Sequence, residues 1–247
     1  MYYACVCAIA KDETPHLREW ALHHFAVGFE HIVLYDNGSA VPAARTLADL
    51  ADAGLLTVID FPRREAPQLS AYYHCLRQWK TRSRWLAFID IDEFVLPLGR
   101  RDVRDLLEDY EAWAGLAAHW MVFGSGGHLR RPPAGVTRSY TDGLCLHHHI
   151  KSLVQPQWVL KPLSPHHFAY AEGRFCVNED RVPVLGASSY PVAEKIRINH
   201  YFYKSNALTA CLHSQVYSQV LFHITEADFC CLSACFPKLC NMRHKYR

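Results

Sequence analysis

Two aspartates one residue apart close an apolar run, Trp85-Leu86-Ala87-Phe88-Ile89 passing directly into Asp90-Ile91-Asp92-Glu93. If the run is a strand, its period of two aims Asp90 and Asp92 to the same side of a sheet. Like charges held together need a compensating cation. Hard oxygen donors suit Mg2+ or Mn2+, ions that take one or two protein carboxylates and complete their shell with substrate phosphates. The chemistry this spacing offers is therefore a metal bridging a diphosphate. An isolated pair of this kind is more often a solvated strand end, so its setting decides between the two. The run His147-His148-His149 gives no such pattern and is assigned no role. Cys230, Cys231, Cys235 and Cys240 lack the paired spacing of a zinc knuckle.

The elements that must position the carboxylates read as alternating strands and helices. Tyr3 to Ala10 is an apolar, β-branched run ending at Lys11-Asp12-Glu13. Thr14 is then a candidate N-cap with Pro15 in the first helical position, and Leu17, Trp20, Ala21 and His24 repeat at helical spacing up to Gly28. His31 to Tyr35 returns to strand character and stops at Asp36-Asn37-Gly38-Ser39, a turn-forming tetrad. Leu47 to Ala53 reads as helix, Leu55 to Phe61 as strand, and Tyr72, Cys75 or Leu76, and Trp79 as one helical face before the strand Trp85 to Ile91. A helix with the stripe Val103, Leu106, Leu107 and Tyr110 follows, with Asp102 as its cap. Further strands are expected over Ala117 to Phe123, Ile150 to Val154 and Ile196 to Phe202, with a loop at Gly124-Ser125-Gly126-Gly127-His128. Continuous apolar strands alternating with helices predict a mostly parallel sheet covered on both faces. Such sheets bind ligands at the carboxyl ends of their strands, where the acidic clusters stand.

Composition narrows the function classes. The 247 residues are half hydrophobic, with 20% charged and 13% aromatic, which excludes disordered and fibrous chains. The formal charge is only +2, with basic residues no denser than pairs such as Arg63-Arg64, so nucleic acid is not expected as a partner. No apolar run is long enough to span a bilayer, and Met1 to Lys11 has no basic leader. The expectation is a cytoplasmic chain without a transmembrane segment, compatible with peripheral contact at the inner membrane. Its ten cysteines read as reduced thiols, with Cys5 and Cys7 on a buried strand face.

These residues resemble the glycosyltransferases related to families 2 and 92, which have the GT-A fold. The resemblance rests on Lys11-Asp12-Glu13 with Leu17-Arg18-Glu19-Trp20, Gly28-Phe29-Glu30-His31 leading to Tyr35-Asp36-Asn37-Gly38-Ser39, and Trp85 through Phe94. It continues with Trp120 through His128, Lys151-Ser152-Leu153-Val154, Pro165-His166-His167-Phe168, Ile198-Asn199-His200-Tyr201 and Lys204-Ser205. The order is kept across about the first 205 residues. The implied architecture is α/β, a single GT-A-like domain over 1–205 with a mostly parallel sheet, followed by a divergent Cys- and His-rich tail over 206–247.

The resemblance implies roles residue by residue. Asp90 and Asp92 would hold Mn2+, or Mg2+, against the donor diphosphate, with His200 as a third ligand. Asp36 would contact the nucleoside, joined by Glu13, although turn chemistry alone accounts for Asp36 equally well. Lys151 would reach a phosphate, or else be a solvated lysine. Gly124, Ser125 and His128 would admit the acceptor. The implied reaction is inverting, a nucleotide-sugar, most simply a UDP-sugar, giving its hexose to a glycan or glycolipid hydroxyl. The base that takes the hydroxyl proton is not identified. Glu93 reaches the reacting side together with Asp92 only if the chain turns after Asp92. Two rivals stand beside this reading. One is a phosphatase of the haloacid dehalogenase type, disfavoured by Phe94 and by the position of the aspartates. The other is a module of the same fold that binds a nucleotide-sugar or glycan without turnover.

Overall fold

The computed structural model describes residues 1–99, 102–128 and 132–202. The tail expected over 206–247 and its boundary at Ser205 lie outside the described residues. In chain order the first elements are β1 (Tyr2–Ala10), α1 (Thr14–Ala26), β2 (His31–Asp36), the short helices α2 (Ala43–Thr46) and α3 (Ala48–Asp52), β3 (Leu56–Asp60), α4 (Pro67–Trp79) and β4 (Ser83–Phe88). Then come β5 (Glu93–Pro97), α5 (Val103–Glu108), β6 (Gly115–Phe123), α6 (Val136–Ser139), β7 (Gly143–Val154), a 3-10 turn at Pro156–Trp158, β8 (Val159–Pro162), β9 (Phe168–Tyr170), β10 (Cys176–Val177), β11 (Pro183–Val184) and β12 (Ile196–His200).

The main sheet runs β3-β2-β1-β4-β7-β6-β10-β11, with β5 and β12 paired beside it. β1 pairs in parallel with β2 and with β4, and β2 in parallel with β3, whereas β4 and β7 are antiparallel. The mixed α/β, GT-A-like class with a mostly parallel sheet is thus borne out. The reason lies in burial on both faces. Cys5, Cys7, Val33, Tyr35, Leu86 and Phe88 pack with Ala71, Tyr72, Cys75 and Trp79 of α4, while their alternates Ala4, Val6, Ala8, Ile32 and Leu34 are buried as well. Cys5 and Cys7 are free thiols inside this core, as the strand pattern predicts, and so is Cys75 of α4, whereas Cys145, read from sequence as a reduced thiol, is disulfide-bonded. Among the described residues no helix is long and apolar enough to cross a membrane.

Of two expected helix caps, one is corrected and one is borne out. Thr14 is the first residue of α1, so Glu13 holds the N-cap position, without a side-chain cap bond. Asp102 does cap α5, accepting from the Arg104 N–H at 2.8 Å.

The chain divides into two compact units. Among the described residues the first is Met1–Trp120 with His148–Asn199, and the second is drawn from Met121–His147 with His200, Tyr201 and Phe202. Within the second, Tyr201 packs against Phe123 and Tyr140, and Tyr140 meets His128 edge-on.

Candidate active site

In the first unit the strand order reverses direction between β1 and β4: the chain moves outward from β1 through β2 to β3, then returns to place β4 on the other side of β1. Sheets of this kind bind ligands in the crevice outside the carboxyl ends at that point. The crevice is present as an open cleft of about 280 Å3 lined by Ile9, Lys11, Glu13, Gln68, Asp90, Ile91 and Asp92. Three of the predicted site residues, Glu13, Asp90 and Asp92, are therefore brought to one place.

The way the aspartates are presented differs from the expectation. β4 ends at Phe88, and Asp90 to Glu93 form a turn closed by Glu93 N–H to Asp90 C=O at 3.1 Å. Strand alternation consequently does not orient the carboxylates; the turn does. The turn is anchored from α1, where the buried Trp20 indole N–H donates to the carbonyls of Asp90 at 3.0 Å and Glu93 at 2.9 Å. The chain does turn after Asp92, the condition set for Glu93 to join the site. Yet the Glu93 side chain is fully buried and its Oε2 accepts the Asp90 N–H at 2.8 Å. This carboxylate shapes the turn from inside.

Asp90 is engaged on both oxygens. Oδ1 accepts from Gln68 Nε2 at 2.5 Å, with the Tyr72 hydroxyl at 3.5 Å, and Oδ2 accepts from Lys151 Nζ at 2.8 Å. Lys151 is wholly buried and its Nζ also lies 3.6 Å from Glu93. A solvated surface lysine does not describe it: its charge is matched to the acidic turn. Burial pulls the Lys151 pKa down, but Glu93 and Asp90, with Asp92 further off, more than offset this and hold it above its ordinary value. Beside it, His166 donates through Nδ1 to the Ile150 carbonyl at 2.9 Å, and burial together with the Lys151 charge lowers its pKa to about 4. At neutral pH this ring is uncharged.

Asp36 ends β2, where its oxygens accept the N–H groups of Ser39 at 2.9 Å and Ala43 at 2.7 Å. Burial raises its pKa, and hydrogen bonding from the Ser39 side chain, then from the Ala43 and Ser39 N–H groups, outweighs burial and leaves it below the usual carboxylate range. Asp36 is thus built into the loop it closes. That loop is tied to the end of β1, since Asp12, at φ 58°, donates its N–H to Ser39 Oγ at 3.0 Å and accepts the Ala40 N–H on Oδ1 at 2.8 Å.

Gly124, Ser125, His128 and His200 belong to the second unit. There the His128 N–H donates to the Ser125 carbonyl at 3.0 Å, Gly126 and Gly127 take positive φ, and the His200 ring meets Phe202. Gln68, Tyr72 and Trp20 were not singled out as site residues from sequence. Gln68 and Tyr72 lie four apart on the buried side of α4, a spacing that puts both on one helix face.

A model of glycosyltransferase family 92 matches residues 1–129. A glycosyltransferase family 92 protein of Oryza sativa subsp. japonica is 30% identical over 209 residues, which are 81% of this chain and 33% of that protein. The galactan beta-1,4-galactosyltransferase GALS2 of Arabidopsis thaliana is 25% identical over 136 residues, 50% of this chain and 26% of its own length. Among solved structures, a mannosyltransferase from Pyrobaculum calidifontis in complex with GDP-Man and Mn2+ superposes with a TM-score of 0.38 at 15% identity, covering 47% of this chain and 35% of that one. The chain spans about a third of the length of the family 92 relatives it matches.

Proposed function

The chain belongs to glycosyltransferase family 92, and from that premise we propose that it moves a hexose from a nucleotide-sugar, a UDP-sugar in the first instance, to a glycan or glycolipid hydroxyl with inversion and with Mn2+ or Mg2+. The observation that carries this reading is the acidic turn opening into a cleft at the reversal point of a parallel sheet. A relative named for galactan galactosyl transfer supports a hexose as the group moved.

The donor set fits a hard divalent ion, because Asp92, Asp90 and Glu13 offer only carboxylate oxygens at the cleft. Asp92 is proposed as the direct ligand and Asp90 as its partner, both at the cleft of the first unit. Such an ion supplies Lewis-acid neutralisation of charge developing on the departing diphosphate. Asp36 and Asp12 together hold the loop after β2 where a nucleoside would lie. Glu93, buried beneath the turn, is assigned to holding Asp90 in place, so the base that accepts the acceptor proton is sought among other residues.

The test is to incubate the protein with a panel of nucleotide-sugars and Mn2+ and to measure nucleoside diphosphate release. Metal-dependent release from one donor is the expected result. Binding of a donor with no release in the presence of glycan acceptors would favour the reading as a binding module.

A further inference from the structure

A lysine with no exposed surface is costly unless its charge is met at short range. Lys151 meets Asp90 at 2.8 Å and Glu93 at 3.6 Å, and the other oxygen of Asp90 is held by Gln68. The three contacts come from three separate elements, β7, the turn after β4, and α4. Two of them grip the Asp90 carboxylate, one on each oxygen. Gln68 is in turn set by the Tyr72 hydroxyl, which accepts its amide at 3.0 Å.

Resting on the metal-dependent reading above, we propose that Lys151 and Gln68 are positioning residues: they fix the Asp90 carboxylate, and through it the turn that carries Asp92, in the geometry a divalent ion and donor diphosphate require. The groups facing the Lys151 ammonium are Asp90 and Glu93 in contact, with Asp92 and His166 nearby. Lys151 serves as the resident countercharge that lets the acidic turn keep its shape before any ion arrives. Gln68 lines the cleft itself, so it links that clamp to the surface where the donor enters. Groups that orient metal ligands from outside typically change metal affinity by roughly 10–100-fold when removed.

The experiment titrates Mn2+ into the full chain with UDP present, reading free Mn2+ by electron paramagnetic resonance, for the unmutated protein, Gln68→Ala, Lys151→Met, Asp90→Asn and the double variant Lys151→Met/Asp90→Asn. Gln68→Ala and Lys151→Met are each expected to weaken Mn2+ binding by about tenfold or more. In the Asp90→Asn background Lys151→Met should cost little further, because the group it positions is already changed. A lysine that only supports the fold would lower the melting temperature equally in both backgrounds and leave Mn2+ affinity alone. If Lys151→Met leaves too little folded protein, Gln68→Ala, a partly exposed site, decides the matter alone. Additive losses in the double variant, or unmutated affinity in folded Gln68→Ala, would overturn the clamp. Should the unmutated chain bind UDP equally with and without Mn2+, the metal reading fails instead. The same double-variant comparison is then made on nucleoside diphosphate release, where additive losses again overturn the clamp.

Discussion

Asp36 and Asp92 stand at the carboxyl edge of the same sheet, and their surroundings give them different work. Both oxygens of Asp36 accept backbone N–H groups of the loop it begins, whereas Asp92 lines the open cleft. Asp92→Asn is therefore expected to keep the cooperative melting transition while losing the Mn2+ dependence of UDP binding, measured by calorimetry. Equal UDP affinity with and without Mn2+ in the unmutated chain would remove the metal from the account. Asp36→Ala should cost about 2–4 kcal/mol in urea unfolding, since two charge-assisted bonds go at once, and should weaken UDP more than free pyrophosphate. Equal weakening of the two ligands would confine Asp36 to folding. At this scale the sequence made the acidic cluster legible because Asp90, Asp92 and Glu13 follow apolar runs locally. The use of Lys151 was not legible, because its partners lie some sixty positions earlier and only the β4–β7 pairing brings them together. Gln68 was hidden for the same reason, its target being on another element.

Among the elements, the turn after β4 shows where periodicity stops informing. Ile89 and Ile91 are both buried, so the apolar run reads on past Phe88 although the strand has ended. Strand and turn there share one hydrophobic signature, and only hydrogen bonding separates them. What holds the turn is a tryptophan on α1 whose position was legible as part of the helical stripe but whose N–H was not. Trp20→Phe keeps an aromatic ring at the site, though a smaller one, and removes the donor from two carbonyls. The expected cost is about 1–3 kcal/mol, the range for leaving buried polar groups unmatched, together with weaker Mn2+ binding by the folded protein. A variant that melts earlier yet binds Mn2+ as before would show that the turn keeps its shape without the indole. Asp102 was read correctly as a cap because it directly precedes the apolar stripe it serves. Thr14 was misplaced by one residue, a shift that follows when the true cap position, Glu13, makes no side-chain bond to mark it.

At the scale of the whole molecule, a mostly parallel sheet covered on both faces was readable from continuous apolar runs, while the order of its strands comes from the structure alone. The same burial that made it readable also traps titratable rings. His24 lies fully buried beside His23, Phe29 and Phe94; its Nδ1 is 2.8 Å from the Trp20 carbonyl and its Nε2 accepts the Val95 N–H at 3.3 Å. That pattern fixes the neutral ring, and burial, then the neighbouring His23, lowers its pKa well below the ordinary 6.5. His23, His31, His119 and His166 are lowered as well, each with burial as the largest cause. For a base with a depressed folded pKa, the unfolded chain binds protons that the folded one refuses. Stability is thus complete above about pH 6.5 and declines as pH falls, at about 1.4 kcal/mol per pH unit for one group kept neutral, such as His24. The His166 contribution declines only until pH reaches about 4, where the folded ring also protonates. Urea midpoints should accordingly fall between about pH 7.5 and about pH 5.5, before the carboxylates begin to titrate. The His24 ring resonances of the folded protein should not move over that range. A midpoint independent of pH, or a His24 resonance that titrates near its ordinary value, would mean that the ring reaches water and that the α1–β5 packing is looser than the structure describes.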